Sequence, residues 1–307
     1  MTSLRIRGGS TTRFPSSKLV RTLAPYGFIS PTGILIIVLM IIPIVMVIGY
    51  SLLDNVITTP ESTFAGLTNY IAVFTDPNFV NAVKNTLIFT VCSVVAHLVL
   101  GLGFALMLNS PLLGRFSRAV FRVIFILPWL FTAAIIAILW RLILDPNGVI
   151  NYLLTQTGVI HTGVAWFATP STALLAVTVM NIWAGYPFFM ISLLAGLQGI
   201  PRDLYEAATV DGAGWFVQFR NVTLPQLRPI IVSMATLDLL WTTQQFALIW
   251  LTTGGGPINF TEMLSTFTYK LAFSTFQFSE ASASAVIILL GSLVVAFFYV
   301  RQQRAQD

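Results

Sequence analysis

The sequence predicts an all-α membrane protein with six transmembrane helices. Three observations carry the prediction. Hydrophobic residues make up 56% of the 307-residue chain and charged residues only 9%, against about a quarter charged in soluble domains. Six segments are apolar enough, and long enough, to cross a hydrocarbon core of about 30 Å, which takes about 20 helical residues. The connections between them alternate in positive charge, as the chain of a multi-pass membrane protein does.

Taken in order, residues 1–24 carry Arg5, Arg7, Arg13, Lys18 and Arg21 and no acid. They read as a disordered basic tail. The apolar run 28–53 is too long for the h-region of a signal peptide and is followed by no small-x-small cleavage site. It is expected to be a retained first span, with Pro31 and Pro43 as bending points. The remaining spans are expected at 86–108, 119–144, 171–197, 229–252 and 281–299. A membrane domain over 25–300 and a short tail over 301–307 follow. No internal repeat is visible.

Thirteen Lys and Arg residues lie in the two tails and in or beside the connections 109–122 and 198–228. The alternate connections hold only Lys84, Arg141 and Lys270. Both termini and 198–228 are therefore expected in the cytoplasm. The opposite side carries Asp54, Glu61, Asp76, Asp145, Glu262 and Glu280. Its longest connections, 54–85 and 145–170, are too short for a globular domain of about 50 residues or more and suit short interfacial helices. The net charge of +5 gives no sign of nucleic-acid binding.

The most polar stretch is 201–225, PRDLYEAATVDGAGWFVQFRNVTLP. Pro201 suits a first helical turn, where its missing N–H costs nothing. Asp203 and Glu206 suit the positive end of that helix. Leu204, Ala207 and Ala208 share one apolar face. Gly212 and Gly214 break the helix. A second short helix is expected at 215–222, before Leu224-Pro225, completing a helix-turn-helix hairpin outside the bilayer.

Several chemistries are excluded. The single cysteine, Cys92, allows no disulfide within the chain. His97 and His161 are too far apart in sequence to suggest a metal site, and His97 reads as a neutral histidine hydrogen-bonded between helices. No lysine follows a glycine, so there is no phosphate-binding P-loop. Gly101-Leu102-Gly103 lies inside a span and suits close helix packing. Gly254-Gly255-Gly256-Pro257 suits a tight turn. No nucleophile or acid–base set for an enzyme is visible.

The stretch 201–225 also contains Glu206-Ala207-Ala208, then Gly212 after three residues, Val222 nine residues later, and Leu224-Pro225. This EAA-x3-G-x9-[IV]-x-LP spacing resembles the cytoplasmic coupling loop of permease subunits of ABC importers. The segment TTGGGP and the run Tyr269-Lys270-Leu271-Ala272-Phe273 are similar to the sugar branch, the F-type maltose permease family. The chain lacks that protein's extra N-terminal pair of spans and its large external insertion, and so stands nearer the shorter carbohydrate and glycerophosphate permeases. Segment 277–285 also departs, with Glu280 and serines where many relatives have glycine.

The resemblance implies a type I ABC importer permease fold in a bacterial or archaeal cytoplasmic membrane. It implies a second, homologous permease subunit, two ATPase subunits that hold ATP and Mg, and an extracytoplasmic binding protein that delivers a di- or oligosaccharide. No cofactor and no enzymatic activity are expected in this chain. Glu206, Ala207, Ala208, Asp211, Gly212, Leu224 and Pro225 are implied as the residues that couple to the ATPase.

Polar side chains in mid-span are costly and tend to face a cavity. Asn181, Gly185 and Phe188 fall on one helical face; so do Asp238, Trp241 and Gln245, with Thr242 beside them. Aromatic faces and amides are what a sugar needs, for its C–H faces and its hydroxyls. Counted from Glu206, all of these except Asp238 match positions that line the maltose permease's sugar site, though only Asn181 and Gly185 keep the residue type. The same residues equally suit interhelical packing. Asp238 disfavours an anionic substrate unless a cation pairs with it. A glycerophosphodiester, glycerol-3-phosphate or polyol permease is the nearest alternative. An ion-coupled secondary transporter is a second, with Asp238 its one candidate ion site. Trp129, Trp140 and Trp250 read as interface or packing aromatics.

Overall fold

A computed structural model describes residues 28–54, 56–57 and 61–303. The basic tail expected over 1–24 lies outside the described residues. The chain divides into two units, 1–49 and 50–307. The described part of the first is the bulk of helix α1 (Phe28–Ser51), apolar along its whole length and long enough to cross a membrane. Residues Ile37–Ile41 form a π-helical turn in which the Ile42 N–H reaches the Ile37 carbonyl. Pro43 follows at once. A wider turn there accommodates a residue that offers no N–H and whose ring crowds the preceding turn.

The second unit begins with a small antiparallel ladder, β1 (Leu53–Asp54) and β2 (Thr63–Phe64), with Leu53 opposite Phe64. A short helix α2 (Thr68–Thr75) follows. Asn69 ties the two together, donating to the carbonyls of Ser51 and Leu53 at 3.0 and 2.9 Å. Helix α3 (Pro77–Asn109) starts nine residues before the expected second span, because Asp76 caps it through the Asn78 N–H and Pro77 fills its first turn. Its 33 residues reach about 50 Å, well beyond a bilayer core.

Two expected spans prove to be broken. Over 119–144 the chain forms α4 (Arg115–Ile126), a 3₁₀ turn (Leu127–Leu130) and α5 (Ala133–Ile143), bent by 102°. Pro128 interrupts the hydrogen-bond ladder and Thr132 caps a new helix. Over 229–252, α10 (Leu224–Thr243) ends at Gln244 and α11 (Ala247–Thr252) starts afresh. Between these pairs lie α6 (Val149–Gln156), α7 (Pro170–Gly199), α8 (Arg202–Val210) and α9 (Trp215–Gln218). Helices α12 (Leu264–Phe273) and α13 (Phe278–Gln303) complete the unit. By length and composition, α1, α3, α7 and α13 each suffice as spans and the α4–α5 pair makes a fifth. The α10–α11 segment, expected as another, falls short by that measure. It is divided at Gln244 and carries Arg228 and Asp238.

Helix α3 is the spine of the second unit, and three apolar clusters sit along it. Phe79 and Ala82 pack with α2, α12 and α13; Phe89 packs with Ile136, Met180 and Leu248; Ala105 and Leu108 pack with Leu193, Leu197 and Leu227. Gly101 faces α7, where a Cβ would stand 2.9 Å from the Met190 nitrogen. That supports the packing expectation for Gly101. Gly103 faces open space, so the expectation does not extend to it.

The glycine turn at 254–257 has a specific task. Gly254 and Gly255 have φ of +59° and +87°, and a Cβ on Gly255 would come 2.9 Å from Glu262 Cδ. Glu262 is buried beneath the turn and ion-paired with Lys270. Asn81 and Asn85 of α3 hold the following strand of chain through the carbonyls of Asn259, Phe260 and Glu262. The TGGGP segment and Lys270 are thus two sides of one contact.

Candidate functional site

The second unit presents two distinctive regions. One is a cleft of about 280 Å³ between α3, the α4–α5 break, α7 and α10–α11. All seven residues expected at a substrate site line it: Asn181, Gly185, Phe188, Asp238, Trp241, Thr242 and Gln245. Helical spacing puts each trio on one face, and the two faces meet across the cleft through Phe188–Trp241 and Asn181–Gln245. Phe188 and Trp241 approach with ring centroids 5.3 Å apart, and Trp129 stands 6.4 Å from Phe188. Trp241 remains 58% exposed, a face open to a ligand. Asn181 is buried; its Oδ1 accepts from Gln245 Nε2 at 3.4 Å, while its Nδ2 has no partner among the described residues. A buried amide donor without a partner costs about 1–3 kcal/mol, and here it borders an open cleft.

Two further residues line the cleft, one against the sequence expectation and one in line with it. Trp129 was expected as an interface or packing aromatic; the bend at Leu127–Leu130 instead delivers it to the cleft. His97 was expected to be hydrogen-bonded between helices, and it is. Its Nδ1 lies 2.7 Å from Asp238 Oδ2 and its Nε2 3.0 Å from the Asn181 carbonyl. Thr242 donates to the other Asp238 oxygen at 3.3 Å. Gly185 also gains a second reason to be glycine: a Cβ there would stand 3.1 Å from His97 Cδ2 and nearer still to the far edge of the ring. Trp140 and Trp250 do pack as expected, against Trp183 and against Phe246 and Tyr269.

The other region is the hairpin. Helix α8 ends in a Schellman motif, with Ala213 N–H on the Ala208 carbonyl and Gly212 N–H on that of Thr209. Gly212 occupies the left-handed position at φ +78°, which a residue without a Cβ adopts freely. Asp211 is the last residue before that turn. The second helix expected at 215–222 is not separate. Helix α9 runs through a π turn (Phe219–Thr223) directly into α10, where Pro225 again calls for the wider turn. Tyr205 OH meets Thr223 Oγ1 at 2.9 Å, and Gln218 Nε2 donates to Thr209 Oγ1 at 2.9 Å, closing the hairpin. Glu206 and Ala207 are exposed and Ala208 is half-buried. Val210, Trp215 and Phe216 are 88%, 72% and 64% exposed, an apolar surface around the hairpin tip. Leu224 is exposed at the root of α10.

Residues 97–307 match the family described as "Binding-protein-dependent transport system inner membrane component". The chain belongs to this family. The permease is 36% identical to the trehalose/maltose transport system permease protein MalF of Thermococcus litoralis, over 93% of this chain and 95% of the relative. It is 32% identical to the lactose transport system permease protein LacF of Rhizobium radiobacter, over 96% and 99%. Among solved structures, a chain of a bacterial ABC transporter involved in the import of the acidic polysaccharide alginate superposes with a TM-score of 0.80. That likeness is at 25% identity and covers 94% of the permease and 98% of that chain. The fold is therefore that of an ABC importer permease.

Proposed function

We infer that the chain is one of two permease subunits of a binding-protein-dependent ABC importer for a neutral di- or oligosaccharide. The cleft carries this reading. Clustered, mutually tilted aromatics, with Trp241 half exposed, beside an unpartnered buried amide donor, suit the apolar faces and hydroxyls of sugar rings. Three relatives support the carbohydrate class by their names, which cite trehalose and maltose, lactose, and sulfoquinovosyl glycerol. No lysine or arginine lines the cleft among the described residues, so a phosphate ester finds no counter-ion there.

In this reading ATP and Mg are held by two partner ATPase subunits, and an extracytoplasmic binding protein delivers the sugar. Both termini face the cytoplasm, as does the hairpin. Glu206, Ala207, Ala208 and Asp211 form the surface that docks on the ATPase, Gly212 sets the turn, and Leu224-Pro225 form its root. Preferential binding of the ATP-bound partner to one of two conformations moves the cleft between the two sides of the membrane. The test is to purify the tagged chain, co-expressed with the genes beside its own, and to follow sugar uptake into proteoliposomes with ATP inside or outside. Uptake of a neutral disaccharide that requires ATP on the hairpin side supports the reading. Solute uptake by the chain alone without ATP overturns it.

A further inference from the structure

The pair His97–Asp238 is the most deeply buried ionisable contact in the cleft, and it joins three helices. His97 comes from α3, Asp238 from α10, and the Asn181 carbonyl from α7. Both partners are buried, His97 almost completely. The proton count follows from the geometry. A backbone carbonyl only accepts, so Nε2 carries a hydrogen toward Asn181. A carboxylate oxygen 2.7 Å from Nδ1 requires a second hydrogen between the two atoms, whichever of them holds it. The imidazole and carboxyl together then bear no net charge.

We propose that His97 is a positioning and specificity-determining residue of the cleft: it cancels the Asp238 charge and fixes Asn181, so that the cleft accepts uncharged sugar. This rests on the sugar reading above. His97 acts on Asn181 by holding that residue's backbone carbonyl in place, while the Gln245 contact on Oδ1 leaves Nδ2 turned away from Gln245 and unpartnered among the described residues. It acts on Asp238 by charge balance, since among the described residues that is the only carboxylate lining the cleft. Gly185 is the space that admits the ring.

The two halves of the pair predict unequal consequences. In Asp238→Asn, a neutral histidine keeps its Nε2 hydrogen on Asn181 and accepts at Nδ1 from the new amide, so every polar group stays satisfied. In His97→Gln, the Asp238 carboxylate is left buried without its counter-charge, the costlier defect. Replacing both restores neutrality with an amide–amide bond.

The experiment uses the purified transporter complex, with maltose as the neutral probe and chitosan disaccharide as its cationic counterpart, read by tryptophan fluorescence on Trp129 and Trp241. Asp238→Asn is expected to weaken maltose binding about threefold. His97→Gln is expected to lose at least tenfold for maltose and to gain relative preference for the cationic sugar. The double variant recovers most of the maltose binding. Equal losses in the two single variants, or a double variant no better than His97→Gln, overturn the proposal. Melting temperatures of the same four complexes, taken without sugar, are expected to fall in the same order. A wild-type complex that binds neither sugar but keeps that order overturns the sugar reading while upholding the charge pair; loss of the order overturns the pair.

Discussion

In the hairpin, the side-chain hydrogen bonds that set the shape span at most 18 residues of chain, and its large apolar side chains are left outside. In the cleft, the bonds join residues 64, 84 and 141 positions apart, and the polar groups are inside. The hairpin is a locally determined shape that leaves an apolar surface exposed. The cleft is a long-range assembly whose buried polar groups satisfy one another except at Asn181 Nδ2. The proposed importer uses both: a docking element that keeps its form while moving, and a cavity that exists only while several helices stay in register.

Substitutions can break this contrast in decreasing steps. Gly212→Val forces a β-branched residue into the left-handed region, at about 1–2 kcal/mol or more. It is expected to reduce ATP-driven uptake at least a hundredfold and to release the ATPase on co-purification, with maltose binding intact. Gly212→Asn, tolerated at such positions, is expected to stay near wild type. A Val variant that still retains the ATPase removes the hairpin from the docking role. Trp241→Ala removes an exposed platform from the cleft. About tenfold weaker sugar binding is expected, with basal ATP hydrolysis and melting temperature unchanged; a large drop in melting temperature marks Trp241 as packing instead. Val210→Ser is the mildest. Exposed substitutions of this kind shift stability by less than about 0.5 kcal/mol, so the melt should not move, while ATPase association weakens two- to fivefold in a titration. No change in that titration places the docking surface elsewhere on the hairpin.

The sequence was most readable where structure is local. The turn at Gly212 follows from a glycine after a short helix, and the fit of glycines 254–256 to a turn from their number and the proline behind them. Both trios of the cleft follow from helical spacing. What spacing leaves open is which helix each face meets. Nothing around His97 says that Asp238, 141 residues on, will stand against it, and Trp129 reaches the cleft only because the chain bends at Pro128. Proline alone does not announce that bend. Pro187 and Pro229 lie inside helices that continue, whereas Pro128 coincides with a sharp break because Thr132 offers a fresh cap just beyond it. The α10–α11 break is hidden for a similar reason: the apolar run continues through Gln244 and Gln245 with only those two amides to mark it.

The direct passage from α9 through the π turn into α10 has a mechanical consequence. With no loop between Thr223 and Leu224, the hairpin and α10 are one continuous piece, which in the proposed importer makes the hairpin a crank and α10 its shaft. Asp238 sits fourteen residues along that shaft, about 21 Å from its root. Motion imposed at the hairpin need not be relayed by side chains in between. In the proposed importer it would reach the floor of the cleft directly, through the one helix that carries both Asp238 and Trp241.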